Sequence, residues 1–343
     1  MKDLLKYSYG CIGTLVLLLV FTGCKTDGDI WVKNVNSGAA LGTSYNIIYL
    51  GKAELNLERE IDSVFQVLNK SMSTYIPTSD ISRINKGDST VIVDQMFREV
   101  FELSGEVYEA TDGYFDPTVG VLVNAWGFGP GTVLEMDSVR VDSLLDFVGF
   151  DKVSISSENK IKMANPGMYL DFNAIAKGYA VDRLAVLLQK KGIENYLIEV
   201  GGELVAKGEN RVKDKKWVVA IDDPMMEETR LSKRTVYMKD VAMASSGNYR
   251  KFKIDPETGA KYVHTIDPKT GYTKNSNILA ATVMAQDCAT ADAFATSFMA
   301  MDLERTEAVL DQQKELQGYI IYLDTEGNVL EYMTDGFKKI VRE

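Results

Sequence analysis

Residues 169–204 read YLDFNAIAKGYAVDRLAVLLQKKGIENYLIEVGGEL, and this sequence predicts a helix followed directly by a strand. Asn173 is a suitable N-cap, and an apolar stripe at helical spacing follows it. Two lysines lie where the last turn is expected, and Gly192 ends the helix. The strand follows at Tyr196–Val200, with alternate side chains on one face, and Gly201-Gly202 lets the backbone turn or approach a ligand.

Asp171 lies just before this helix start. Backbone N–H groups at a helix N-terminus point outward and favour a phosphate group. The alternative interpretation is an ordinary helix–strand unit in which the aspartate is a solvated cap. The spacing alone leaves both interpretations open.

The composition describes a globular and acidic protein. The chain has 343 residues, 45% of them apolar, a formal net charge of −11 and an isoelectric point near 4.9. This negative charge is spread along the chain without long acidic runs, which argues against nucleic acid as a partner. An anionic ligand would therefore need a local source of positive charge or hydrogen-bond donors, such as a metal ion, a helix N-terminus or a few well-placed lysines.

The N-terminus has the features of an export signal. Lys2 and Lys6 supply positive charge, and the apolar run Ile12–Phe21 has about half the length of a membrane-spanning helix. The ending Phe21-Thr22-Gly23-Cys24 resembles a bacterial lipobox, which implies cleavage before Cys24 and a lipid on its thiol. A plain signal peptide or an anchor helix is the alternative.

We therefore expect a signal peptide over residues 1–23, a lipid-anchored tether over 24–30 and a folded domain over 31–343. The protein would be an exported bacterial lipoprotein, anchored to a membrane on its periplasmic or extracytoplasmic face. Mature protein would keep Cys288 as its one other cysteine, which excludes an internal disulfide and a CxxC metal site.

Strands and helices alternate irregularly along the domain, which predicts an α+β fold of mixed β-sheets packed with helices, with a ligand cleft between two lobes. The predicted strands are Ile30–Val35, Tyr45–Leu50, Trp217–Asp222 and Val236–Met243, with hairpins at Lys152–Met163 and Tyr319–Met333. The predicted helices are Leu57–Leu68, Phe97–Thr111, Asp137–Gly149 and Asp287–Asp302.

Several catalytic classes are excluded by motifs that the sequence lacks. His264 is the only histidine, so a multi-histidine metal site is excluded, and no HExxH, GxSxG or Walker motif occurs. The segment Asn124–Gly131 is rich in glycine without the spacing of a dinucleotide-binding loop. A lone histidine is more often structural than functional, so His264 alone indicates little.

The helix over Asp287–Asp302 has a polar pair on one face. Phe294 and Phe298 belong to the core stripe, whereas Asp292 and Thr296 lie on the opposite side at i and i+4. Two hard oxygen ligands among small alanines suit Mg²⁺, which also binds substrate phosphates. The alternative is a solvated or helix–helix face.

Eight motifs, in this order along the chain, together resemble the ApbE family of FAD:protein FMN transferases. They are Ser73–Tyr75, Phe115–Gly120, Val123–Pro130, Asp171–Ala180, Val200–Gly202, Ser245–Gly247, His264–Gly271 and Ala291–Thr296. The resemblance extends from about Leu41 to the C-terminus.

The resemblance implies roles for particular residues. Flavin contacts would fall on Leu41, Tyr75, Tyr114, Phe115, Asp116, Asp171, Lys177 and Ile266. Mg²⁺ would be held by the Ala174 carbonyl, Asp292 and Thr296. Asp292 would also take a proton from the acceptor, and His264 would position phosphates or aid proton transfer.

The implied reaction moves the FMN half of FAD to a threonine hydroxyl of a target flavoprotein and releases AMP. The expected partners are FAD, that flavoprotein and, through the lipid, a membrane. Two alternatives stay open: a Mg²⁺-dependent FAD pyrophosphatase that gives FMN and AMP, and a non-catalytic FAD-binding lipoprotein.

Overall fold

An eight-stranded antiparallel sheet forms the centre of the fold. The computed structural model describes residues 30–224, 232–247, 252–254, 261–263, 265–274 and 276–342. Its strands are β1 (Val32–Ala40), β2 (Thr43–Gly51), β3 (Val153–Ile155), β4 (Ile161–Met163), β5 (Tyr196–Val200), β6 (Glu203–Lys207), β7 (Trp217–Asp222), β8 (Ser232–Met238), β9 (Val241–Gly247), β10 (Phe252–Ile254), β11 (Lys261–Val263), β12 (Ile278–Ala285), β13 (Gln317–Leu323) and β14 (Val329–Met333). The central order is β1-β2-β5-β6-β9-β12-β13-β14, and β3–β4, β7–β8 and β10–β11 form separate two-stranded sheets.

The helices lie in the sequence between β2 and β3, between β4 and β5, between β12 and β13 and after β14. They are α1 (Glu58–Met72), α2 (Asp80–Asn85), α3 (Gln95–Ala110), α4 (Gly120–Ala125), α5 (Ser138–Leu145), α6 (Ala176–Lys190), α7 (Cys288–Ala300), α8 (Leu303–Gln312) and α9 (Asp335–Lys338). Aspartate side chains cap α3, α5, α7 and α8 by accepting a hydrogen bond from a backbone N–H of the first turn. Among the described residues, no helix is long and apolar enough to cross a membrane.

The central sheet is covered on both faces. Tyr196, Ile198 and Val200 of β5 face α1, α3, α6 and α7 in the larger core, as their alternation in the sequence predicts. The opposite face packs against the β7–β8 hairpin and α9, which contribute Trp217 and Phe337 to a second core. The predicted α+β class is confirmed, and the chain from residue 31 onward is one compact unit.

Most predicted elements are confirmed with bounds that differ by a few residues, but Val236–Met243 is wrong as a single strand. β8 ends at Met238 and β9 begins at Val241, because Asp240 has a φ of 53° and reverses the chain. β8 pairs with β7 in a two-stranded sheet and forms an antiparallel bridge to Val341, whereas β9 belongs to the central sheet.

The predicted N-cap of α6 is also wrong. The helix begins at Ala176, after a cap position at Ile175 that makes no side-chain hydrogen bond. Asp292 of α7 instead accepts from the Gly178 backbone N–H at 3.0 Å, so a distant residue satisfies this first turn. The predicted end is confirmed, since Gly192 has a φ of 72° directly after the helix.

The approach of α6 to α7 leaves no room for a side chain at Gly178. A Cβ atom there would lie 2.7 Å from the Cys288 carbonyl carbon, closer still to its oxygen, and 2.8 Å from Cβ of Asp292. A second contact holds the helices together, because the Asp182 carboxylate of α6 accepts from the backbone N–H groups of Cys288 and Ala289.

We expect Gly178→Ala to lower the free energy of unfolding by about 1–3 kcal/mol, because the clash involves backbone that cannot move without separating α6 from α7. Chemical denaturation measures this loss. Gly105→Ala is the matched control: Gly105 also lies inside a helix, yet its added Cβ makes only an ordinary contact with Phe150. The free energy of unfolding of this control should rise by about 0.5–1 kcal/mol. An equal decrease in the free energy of unfolding of both variants would contradict the packing argument.

Candidate active site

A cluster of three charged side chains lies where α6, α7 and β6 meet, with the carboxylates of Glu203 and Asp292 buried and the Lys177 side chain partly exposed. The Lys177 ammonium is 2.9 Å from Oε1 of Glu203 and 3.4 Å from Oδ1 of Asp292. Oδ2 of Asp292 accepts the Gly178 backbone N–H. Two of these three residues are predicted site residues, and the structure brings them into direct contact.

Burial controls the ionisation of this cluster. Burial raises the pKa of Asp292 to about 7, although the Lys177 charge opposes the shift. Burial disfavours the charged form of Lys177, but the carboxylates of Asp292 and Glu203 outweigh it and raise the pKa of the lysine. With all three groups charged the cluster carries a formal charge of −1, so Lys177 alone does not make the site positive.

Glu203 is a site residue that the sequence reasoning missed. It is 4% exposed, and the two-residue period of β6 turns it toward the helices together with Val205. Its Oε2 atom has no hydrogen-bond partner within the part of the chain that the structure describes. A usable signal existed in the sequence, because a glutamate lies between Gly201-Gly202 and the apolar run Leu204–Ala206.

The predicted metal ligands lie around this cluster. Asp292 is 1% exposed, so the interpretation of its face as solvated is wrong, and the carboxylate lies at a helix–helix contact. Thr296 follows one turn later, with its hydroxyl 3.3 Å from that of Ser246. Ala174 lies in the turn before α6. The described ranges contain no group of three or more His, Cys, Asp or Glu side chains suited to a metal, so a metal here would need backbone and hydroxyl oxygens.

Asp171 lies on a chain segment that is fixed from both sides. Its backbone N–H donates to the Pro117 carbonyl at 2.7 Å, which holds the loop after α3 against it. The preceding residue, Leu170, exchanges two hydrogen bonds of 2.8 Å with the Asn85 side chain. The Asp171 carboxylate accepts from the backbone and side chain of Asn173, and burial raises its pKa. The helix–strand unit is present, but Asp171 does not cap α6, so its interpretation as a helix cap is wrong.

Tyr75 presents an open aromatic ring beside Asp171. The residue is 61% exposed, and partial burial, followed by the charge of Asp171, raises the pKa of its hydroxyl. The neighbouring Thr74 hydroxyl accepts from the Asn173 side chain at 3.4 Å. An exposed tyrosine on a fixed loop can cover a flat ring system.

The three residues 114–116 make different kinds of contact within the chain. Phe115 packs in the larger core. The buried Asp116 carboxylate accepts from the backbone and hydroxyl of Thr118 at 2.7 and 2.6 Å, and burial raises its pKa to about 6. The Tyr114 ring lies 4.9 Å from the Arg305 guanidinium. Asp116 therefore fixes the shape of the loop.

The remaining predicted residues are spread around this region. Leu41 lies in the β1–β2 turn with a φ of 51°. Strand β2, which follows this turn, contacts the β5–β6 turn, where the Gly201 N–H donates to the Ser44 carbonyl. Ile266 is buried in a small cluster with Leu122 and Val148. His264 lies outside the described residues. A cavity of about 390 Å³ beside Asp182 contains none of the predicted site residues.

Comparisons with known proteins agree on one family. The model described as "ApbE family" matches residues 41–320. A relative named FAD:protein FMN transferase from Vibrio cholerae is 35% identical, with 94% of this chain and 96% of the relative covered. A relative of the same name from Haemophilus influenzae is 31% identical, with 89% and 90% covered.

A solved structure has the same fold. It is described as flavin transferase ApbE from Vibrio cholerae, and it superposes with a TM-score of 0.81 at 34% identity. The match covers 91% of this chain and 100% of that one.

Proposed function

This chain belongs to the ApbE family, and on that basis we propose that it transfers the FMN part of FAD to a threonine hydroxyl of a target flavoprotein. The threonine oxygen forms a bond to the FMN phosphorus, the pyrophosphate P–O bond breaks, and AMP leaves. The observation that carries this proposal is the Asp292 carboxylate, buried beside Lys177 at the first turn of α6.

Mg²⁺ fits the residues present at this site. Asp292, Thr296 and the Ala174 carbonyl offer only hard oxygen atoms, and the charged cluster beside them is negative when its three groups are ionised. We propose that these three residues hold the ion. When bound, Mg²⁺ supplies positive charge that offsets the phosphates and the AMP leaving group.

The side chains of the protein would position the reactants and move the proton. Asp292 would accept the threonine proton, because its carboxylate lies beside Lys177 at the first turn of α6. Lys177 would orient the phosphates, and the exposed Tyr75 ring would stack on the flavin beside Asp171. Phosphoryl transfer depends mainly on such positioning and charge neutralisation.

The other assigned contacts would complete the flavin site. We propose Leu41 and Ile266 as apolar contacts, Tyr114, Phe115 and Asp116 as the loop beside the ligand, and His264 as an aid to phosphate positioning or proton transfer. The flavin would lie in a cleft between two lobes.

We also propose that the protein works at a membrane surface. The lipobox ending at Cys24 supports a lipid anchor on an exported protein, with residues 24–30 as its tether. The active site would then lie on the periplasmic or extracytoplasmic face.

The proposed reaction is tested with the purified full-length chain in detergent, incubated with FAD, Mg²⁺ and a threonine-containing flavoprotein fragment. Mass spectrometry of the fragment and measurement of AMP and FMN follow the products together. We expect the fragment to gain the mass of FMN with an equal amount of AMP. AMP with free FMN and an unmodified fragment would instead show a pyrophosphatase, and bound intact FAD would show a carrier.

Asp292→Asn should lower AMP release by about 10²–10⁴-fold, because the amide neither accepts the threonine proton nor binds Mg²⁺ well. The amide oxygen still accepts the Gly178 N–H, so the variant should remain folded, which thermal melting checks. Unchanged AMP release in a folded variant would remove Asp292 from the mechanism.

Leu41→Asn should affect stability and flavin binding in opposite directions. Leu41 and Gly42 have φ values of 51° and 73°, a type I′ turn in which asparagine is favoured. We expect a gain of about 1 kcal/mol in the free energy of unfolding and about tenfold weaker FAD binding, because an apolar contact is lost. FAD fluorescence titration measures the affinity, and an unchanged value would contradict Leu41 as a flavin contact.

A further inference from the structure

Lys177 is held unequally by its two carboxylate partners. Its ammonium lies 2.9 Å from Glu203 Oε1, a normal length for a charge-assisted hydrogen bond. Its distances to the two Asp292 oxygens are 3.4 and 3.5 Å, near the limit for such a bond. Glu203 is therefore the main partner of the lysine.

The weaker contact involves the proposed metal ligand. Oδ2 of Asp292 accepts the Gly178 N–H, while the hydrogen bonds described for Oδ1 come from the Lys177 ammonium alone. A cation that binds Asp292 must therefore compete with this ammonium. If the cation displaces the Lys177 ammonium from Asp292, one N–H donor of the lysine loses its partner inside the protein.

Glu203 can take up the donor that is freed. Its Oε2 atom is buried and has no hydrogen-bond partner in the described ranges, whereas Oε1 already binds Lys177. A buried carboxylate oxygen without a donor is unfavourable. The second bond would satisfy this oxygen and keep the lysine away from the metal ligand.

We propose that Glu203 is a positioning residue that retains Lys177 when a divalent cation takes its place on Asp292. The inference rests on the proposed function, because it uses the metal site assigned there. The formal charge of the cluster changes from −1 to +1 when a divalent cation is added. The site then attracts the diphosphate of FAD, and Lys177 remains available to it.

The test is a double-mutant cycle that measures Mg²⁺ binding to the full-length chain in detergent by isothermal titration calorimetry, without FAD. Glu203→Gln should weaken Mg²⁺ binding about tenfold or more, within the range found for groups that support metal ligands. In the Lys177→Met background no ammonium competes for Asp292, so Glu203→Gln should weaken Mg²⁺ binding less than about threefold. Lys177→Met alone should tighten Mg²⁺ binding.

Asp182→Asn is the matched control. It also removes a buried carboxylate charge from the α6–α7 contact, but Asp182 bonds to the backbone of Cys288 and Ala289. We expect its Mg²⁺ affinity to stay within about twofold of the original chain. Thermal melting without metal verifies that each variant is folded. If Glu203→Gln unfolds, the Mg²⁺ affinity of Lys177→Met alone still tests the competition between the lysine and the cation.

The outcomes separate this inference from the proposed function. Equal losses from Glu203→Gln in both backgrounds would show that Glu203 acts only as a charge and would overturn the inference alone. Weaker Mg²⁺ binding by Lys177→Met would also overturn it. Absence of Mg²⁺ binding by the original chain would overturn both the metal assignment and the inference.

Discussion

The close contact between α6 and α7 at Gly178 is the constraint on which the site depends. A side chain at this position would overlap the Cys288 carbonyl, so only glycine lets the two helices approach this far. That approach brings the Asp292 carboxylate to the first turn of α6, where it replaces a conventional cap. One interaction thus satisfies the first turn of a helix, joins two distant segments and buries the Asp292 carboxylate.

The sequence predicted the parts of the site that depend on local spacing. Asp292 and Thr296 were recognised as a pair because an i, i+4 relation is a property of one helix. The start of α6 was misplaced because its cap comes from a residue 114 positions away, which no local rule can find. Glu203 was missed for a similar reason, since its contact with Lys177 depends on the pairing of β5 with β6 and on the packing of α6 over them.

The acidic composition of the chain is compatible with an anionic ligand because charge is controlled locally. Lys177 lies beside two buried carboxylates, so the lysine alone gives the cluster no net positive charge. Around it, Asp116 and Asp171 use their oxygens to fix loops through Thr118 and Asn173. These two acidic residues therefore fix the shape of the loops.

The separation of Gly178 and Asp292 in the sequence also has a consequence for biosynthesis. Contacts between residues so far apart form late, because the chain must first close a long loop. A ribosome-bound chain that ends before α7 has no carboxylate at the first turn of α6. The contact between Gly178 and Asp292 therefore forms only after α7 has been synthesised.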